Sequence, residues 1–176
     1  MEIITQSSAT ATINAPAAAI DITDWLFKLS DLEYQACSKA HVACGSTMDI
    51  NGKRVSINVE NVAGNLLVQH YQEEISERSN CRVNSISDSF SELGVTKLGI
   101  TWELTINRLT EKTSELENKV TILITDEFGA LLKRNDTQVT DAIKLGMSKN
   151  VAEHNLEETP LFAKDIERKA LSGQWA

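Results

Sequence analysis

The stretch ATATINAPAAAIDITDWLFKLSDLEYQACSK, residues 9–39, decides how the chain is organised. Residues 10–14 alternate, with Ala9, Ala11 and Ile13 on one face, the pattern of a short strand. Asn14-Ala15-Pro16 ends it, and a proline is tolerated at a helix start because its missing N–H has no partner there anyway. Residues 17–29 then read as a helix closing on the apolar group Trp25, Leu26 and Leu29. Ser30-Asp31-Leu32-Glu33 has the form of a capping box, in which serine accepts from the amide three residues on and glutamate reaches back. A second short helix is expected from Asp31, carrying Leu32, Tyr34 and Ala36 as far as Lys39. One strand and two short helices thus precede everything else.

From His41 the period changes to two. Val42, Cys44, Ser46, Met48 and Ile50 share one strand face. Asn51-Gly52 signals a type I′ hairpin, whose two central residues both need positive φ. The return strand sets Val55, Ile57 and Val59 against Arg54, Ser56, Asn58 and Glu60. Ala63-Gly64-Asn65 marks another turn, and further strands are expected at residues 66–74, 81–90 and 96–109. The last alternates most clearly, with Leu98, Ile100, Trp102, Leu104 and Ile106 on one side. Val120, Ile122 and Ile124 mark a final strand. Short connections make the sheet an antiparallel meander, one face of which must be covered. The segment from Asp136 onward is the candidate cover, because Val139, Ala142, Ile143, Gly146, Met147 and Val151 recur at helical spacing.

The order strand, two short helices, six strands, long helix defines an α+β chain. It resembles the helix-grip fold of the START-like, Bet v 1-like superfamily, also called SRPBCC, which includes polyketide cyclases and lipid-transport proteins. The pieces that match are Thr12-Ile13-Asn14-Ala15-Pro16, the helix end Leu29-Ser30-Asp31 followed by Tyr34, and the hairpin Met48-Asp49-Ile50-Asn51-Gly52-Lys53. The resemblance implies a curved antiparallel sheet of six to seven strands wrapped around a long C-terminal helix. Two short helices follow the first strand, and an apolar cavity lies between sheet and helix. It further implies a small hydrophobic ligand, lipid-like or polyketide-like, and in some members cyclase or aromatase-like activity. No catalytic motif is common to the superfamily, so no catalytic residue is carried over.

One departure stands out. His154-Asn155-Leu156-Glu157-Glu158-Thr159-Pro160 interrupts the long helix, with Thr159 as N-cap and Pro160 as first residue of a further short helix reaching Ala170 and ended by Gly173. The expected division is an N-terminal tail at 1–8, a helix-grip domain at 9–155 and a C-terminal extension at 156–176. That extension is a candidate to cover a pocket mouth, pack outside, or join a homodimer.

The chain has 176 residues, with 25 acidic against 17 basic side chains and a net charge of −8. This argues against a nucleic-acid partner, which needs a basic stripe to displace counterions. No run of about 18 apolar residues exists, so stable membrane insertion is not expected. The opening MEIITQSSATATINAP lacks a basic n-region and an apolar h-region, so the expected location is cytoplasmic. Cys37, Cys44 and Cys81 are odd in number and form no CxxC pair, which fits reduced thiols acting as small hydrophobes.

In this frame the ligand-binding candidates are Val68, His70, Gln72, Ile100, Trp102, Leu104, Ile143, Gly146 and Met147. If Leu66 and Val68 point inward, His70 and Gln72 enter the cavity together and orient a ligand, and His70 becomes the candidate general base. The plainer alternatives are a solvated strand histidine for His70 and a core tryptophan for Trp102. Small residues such as Ala142 and Gly146 either leave a void or let the helix approach the sheet closely. Arg82, Asn84 and Asp88 read as a solvent face. GxSxG, GxGxxG and GxxxxGK[ST] segments are absent, and His41, His70 and His154 are scattered, so neither metal nor cofactor is expected. Three functions stand: a non-enzymatic module binding a hydrophobic molecule, a cyclase or dehydratase working through His70, and an interaction protein with a filled core. Binding is favoured because no reacting constellation is visible.

Overall fold

The computed structural model describes residues 2–137 and 140–175, so Val139 lies outside the described residues. The elements are β1 (Ile3–Ile13), a 3-10 turn (Ala17–Ala19), α1 (Ile22–Lys28), α2 (Asp31–Gln35), β2 (His41–Met48), β3 (Arg54–Val62), β4 (Asn65–Ser76), β5 (Asn80–Ser91), β6 (Gly94–Arg108), β7 (Ser114–Ile124), α3 (Asp126–Arg134) and α4 (Asp141–Leu171). The strands form one seven-stranded antiparallel sheet in the order β1-β7-β6-β5-β4-β3-β2. Register shifts in the β1–β7, β2–β3 and β4–β5 pairings bend it, because a residue without a partner kinks its strand. The curved sheet, the short helices after β1 and the long C-terminal helix follow the sequence reading.

Four local features differ from it. Residues 3–8, expected as a tail, are the first half of β1 and pair with Leu123 through Lys119 of β7. Their alternation is weak and their partner is remote in sequence, so pairing rather than propensity makes them a strand. The Asn51-Gly52 turn is not type I′, since Gly52 has φ 79° while Asn51 has no positive φ. Asp49 organises it instead, its Oδ1 accepting from the Asn51 and Lys53 amides at 2.8 and 2.9 Å. Positive φ at both central positions occurs at Ala63 (50°) and Gly64 (82°), where Val62 pairs directly with Asn65. Between sheet and long helix, α3 is an added element. Thr125 caps it by accepting from the Phe128 amide at 3.1 Å, with Asp126 and Glu127 in its first turn and Lys133 and Arg134 in its last.

The fourth difference concerns the C-terminal segment. Pro160 does not begin a new helix but lies inside α4, which runs unbroken through Leu171. The carbonyl left without a donor is that of Leu156. Both residues are on the exposed face, where water serves the carbonyl. Thr159 does not cap either. Its hydroxyl donates back to the Asn155 carbonyl at 2.6 Å, within the helix. Residues 156–171 are therefore not an addition. The fully buried side chains of α4, including Phe162, Ala163 and Ile166, all lie in its second half, from Asn155 on. Phe162 meets Trp25 of α1 edge-on at 5.1 Å, and the Trp25 N–H donates to Asp165 at 2.9 Å. The core thus sits where the far half of α4, α1 and α2 meet the concave face of the sheet, from Ile13 of β1 through Leu104 of β6 and Leu116 of β7. Truncating Phe162 to Ala is expected to destabilise the fold by about 3–5 kcal/mol in denaturant unfolding, whereas a solvated helical extension would show almost no loss.

The expected capping box on α2 is present: Ser30 N–H donates to Glu33 at 3.0 Å and Ser30 Oγ accepts from the Glu33 amide at 3.4 Å. The same carboxylate meets Lys169 at 3.0 Å and Arg168 at 2.7 Å, tying α2 to the end of α4. Partial burial opposes ionisation of Glu33, but the Ser30 hydrogen bonds and the Lys169 ammonium outweigh it and hold its carboxyl at about 2. A carboxylate depressed on folding stabilises the protein above its unfolded pKa, near 4.5, and loses that contribution as pH falls toward 2. Wild type should exceed Glu33→Gln by about 1 kcal/mol at neutral pH, and chemical unfolding across pH should show this gap closing between pH 4.5 and 2.

Candidate functional site

The first half of α4 has no buried side chain among the described residues; it is tied to β1 through Ser148–Thr5 at 2.7 Å but leaves a gap over the middle strands. The space beneath it is a cavity of about 490 Å³. Its floor is Leu67 of β4, Leu98 and Ile100 of β6 and Ile122 of β7; Phe128 and Leu132 of α3 close one side and Ile143, Met147 and Val151 of α4 the roof. Its mouth lies at the β3–β4 and β5–β6 turns, around Ala63-Gly64 and Glu92-Leu93. Inward it narrows to a chamber of about 60 Å³ walled by Tyr71, Trp102 and Val120. Val62, Leu67, Ile100, Ile122 and Val151 line both spaces, which makes them one channel.

The blind end of this channel is polar. His41 starts β2 directly across from Glu60 of β3 in the strand register, while His154 and Glu158 stand one turn apart on α4. His41 Nε2 lies 3.1 Å from Glu158, and His154 Nε2 lies 3.4 Å from Glu158 and 3.6 Å from Glu60. The His41 ring stacks on Tyr34 with centroids 3.8 Å apart, and the Tyr34 hydroxyl donates to Glu60. Gln69 Nε2 donates to Glu60 at 3.3 Å. Asn118 Nδ2 donates to Glu158 at 3.0 Å, and Asn118 Oδ1 accepts the Trp102 N–H at 2.7 Å.

Burial alone would lower the His154 pKa, yet the adjacent Glu60 and Glu158 carboxylates raise it to about 9. Glu60 is pulled the other way: burial opposes its charge, but His154, His41 and Tyr34 keep its pKa below the usual carboxylate value. Burial and the Glu60 charge push the Tyr34 hydroxyl well up. The end of the channel therefore carries opposed charges in a buried place, held by neutral donors.

The sequence matches no protein-family model and no curated protein. Solved structures do match in shape. The Zhui aromatase/cyclase from Streptomyces sp. R1128 superposes with a TM-score of 0.67 at 13% identity, over 93% of this chain and 94% of that one. The helix-grip fold is thereby established. The di-domain ARO/CYC StfQ from the steffimycin biosynthetic pathway gives 0.61 at 11% identity, over 95% of this chain and 53% of that chain. Ara h 8.0201 gives 0.51 at 14% identity, over 95% and 97%. The START-like, Bet v 1-like resemblance holds as a shared fold.

Within the helix grip, the expected site residues divide. Ile100 and Trp102 line the channel, and Ile143 and Met147 roof it. Leu104 is fully buried in the core beyond the chamber. Gly146 is exposed with open space around its Cα, and Ala142 is exposed too, so the void is bounded by the larger side chains beside them. Val68, His70 and Gln72 face away. On β4 it is Leu67, Gln69 and Tyr71 that point inward, leaving His70 and Gln72 exposed on the convex side. His70 is accordingly not a general base of this cavity. The parity was ambiguous because Leu66 to Val68 is apolar on both faces. Arg82 and Asp88 lie on the outer face, paired with Glu103 at 3.1 Å and Lys97 at 2.6 Å.

Sequence reasoning missed Glu60, Gln69, Tyr71, Asn118, His154 and Glu158. The one legible signal was His154 four residues before Glu158, which shares a helix face. The histidines judged scattered are not so in space: the His41 and His154 rings are 5.4 Å apart. Of the cysteines, Cys37 is buried with its thiol pushed up to about 12 by burial, which fits an inert packing role. Among the described residues no helix is long and apolar enough to cross a membrane.

Asn118 satisfies Trp102, Glu158 and Thr159 at once. Asn118→Leu leaves the Trp102 N–H and Oε1 of Glu158 without that partner, while Thr159 keeps Asn155, and thermal or denaturant unfolding should show a loss of about 2–4 kcal/mol. A loss below about 0.5 kcal/mol would mean that water replaces the amide at no cost.

Proposed function

We propose that this chain binds a small hydrophobic molecule in the channel between sheet and α4, with any polar end of the ligand directed to the His154–Glu60 side. The single observation that carries the reading is the cavity of about 490 Å³ with its apolar walls. Small-molecule sites occupy about 300–1,000 Å³ and combine apolar lining with a few convergent polar groups. A core filled by its own side chains, as an interaction protein would have, leaves no such space. Affinity comes from the area removed from water against Ile100, Ile122, Phe128 and Met147. Orientation comes from Gln69, Glu60 and His154 at the closed end.

A second reading, an enzyme of the cyclase kind, draws on two observations. The neighbours named aromatase/cyclase and ARO/CYC superpose with TM-scores of 0.67 and 0.61. The inner chamber also presents an acid–base pair, His154 with Glu60, to whatever lies in the channel. In that case His154, rather than His70, moves the proton.

Fluorescence titration with an apolar anilinonaphthalene probe tests the binding reading. Wild type should bind saturably, and Val151→Trp, which plugs the channel where its two parts join, should weaken binding at least about 10-fold. His70→Ala, on the convex face, should bind as wild type does. Equal probe affinity in wild type and a folded Val151→Trp would rule out the channel as the site.

A further inference from the structure

We propose that His41, Glu60, His154 and Glu158 bind a divalent transition-metal ion at the blind end of the channel. One donor atom from each of His41, Glu60 and His154 lies within 4.8 Å of the others. The contacts are 3.1 Å for His41–Glu158, 3.4 Å for His154–Glu158, 3.6 Å for His154–Glu60 and 4.0 Å for His41–Glu60. A zinc ion with nitrogen and oxygen ligands at about 2.0–2.2 Å sets its tetrahedral donors about 3.4 Å apart. Oε2 of Glu158 stands 3.1 and 3.4 Å from the two imidazole nitrogens, below and at that value. Glu60 offers Oε1 to His41 at 4.0 Å and Oε2 to His154 at 3.6 Å, so one of its oxygens would turn inward to ligate.

The histidines are prepared as ligands. His41 Nδ1 lies 2.7 Å from the Tyr34 carbonyl oxygen. A carbonyl only accepts, so Nδ1 carries the hydrogen and the ring is held as metal-binding imidazoles are, with Nε2 turned to the cluster. That Nε2 lies 3.1 Å from Oε2 of Glu158, so the ring nitrogen and the carboxylate oxygen converge on one point. His154 Nε2 is buried and has no hydrogen-bond partner, although two carboxylates are near it. Its alignment fits an ion shared by the group better than an N–H donated to either carboxylate.

The carboxylates are held from behind. Tyr34 and Gln69 donate to Glu60, and Asn118 donates to Oε1 of Glu158, leaving Oε2 toward the imidazoles. Two carboxylates and a divalent ion sum to zero charge, which removes the cost of burying like charges together. Imidazole and carboxylate without thiolate suit zinc, iron(II), cobalt(II) or manganese(II) rather than calcium. Glu60, His154 and Glu158 also line the inner chamber, so a further coordination position faces the channel.

The test uses the metal alone and is independent of any hydrophobic ligand. Full-length protein dialysed against chelator is titrated with Zn²⁺ by calorimetry and with Co²⁺ by visible absorption. Wild type should take up one equivalent, show the intense bands of a four- or five-coordinate cobalt site, and melt at a higher temperature when loaded. His154→Ala should bind Zn²⁺ about 100-fold more weakly, and His70→Ala should match wild type. If His154→Ala does not fold, the wild-type cobalt spectrum decides alone. Absence of saturable binding by wild type, a spectrum of aquated cobalt, or an undiminished Zn²⁺ affinity in folded His154→Ala overturns the proposal.

Discussion

Phe162 stands 5.1 Å from Trp25 and 5.9 Å from both His41 and Trp102, and the position of α4 depends on that contact. One aromatic side chain joins the short helices, the start of β2 and the centre of the sheet. The 31-residue helix follows β1 along its length, through Lys144–Glu2, Ser148–Thr5, Asn155–Ser7 and Glu167–Asn14, but it buries side chains only in its far half. Its near half, from Asp141 to Val151, touches the sheet at β1 but not over β4 and β6, and the channel is the space left over. Cavity and core are consequences of one asymmetry along a single helix.

Much of this architecture was legible. The capping box at Ser30–Glu33, the meander from His41 and the alternation around Trp102 all rest on contacts within a few residues, so local chemistry fixes them. What escaped was set by distant partners. Residues 3–8 become strand because β7 is there to pair with them. Pro160 is tolerated because the carbonyl it deprives is solvated, which no local rule reveals. The site was harder still. Ile100, Trp102, Ile143 and Met147 followed from periodicity, but the face of β4 hung on parity in a stretch apolar on both sides. A polar cluster assembled from β2, β3 and α4 leaves almost no trace in any one of them.

The closed end of the channel and the anchored half of α4 share residues, and this couples stability to chemistry. Glu158 and Thr159 are buried partners of Asn118, one turn from Phe162. A substitution in the His41–His154 group is therefore felt by the segment that fixes the helix. The exposed face of the sheet is separate: its Arg82–Glu103 and Lys97–Asp88 pairs lie on the other side.

The pairing of β1 with β7 has a consequence for how the molecule comes into being. Ile13 waits for Ser114, and Ile3 for Leu123, so the first strand made is among the last to find its neighbour. Closing a loop of that length is slow, and the rate of folding follows the sequence separation of such contacts. During synthesis the meander emerges before α4, with its apolar floor uncovered. The nascent chain thus passes through a stage in which the apolar floor of its channel is bare, until α4 arrives to cover it.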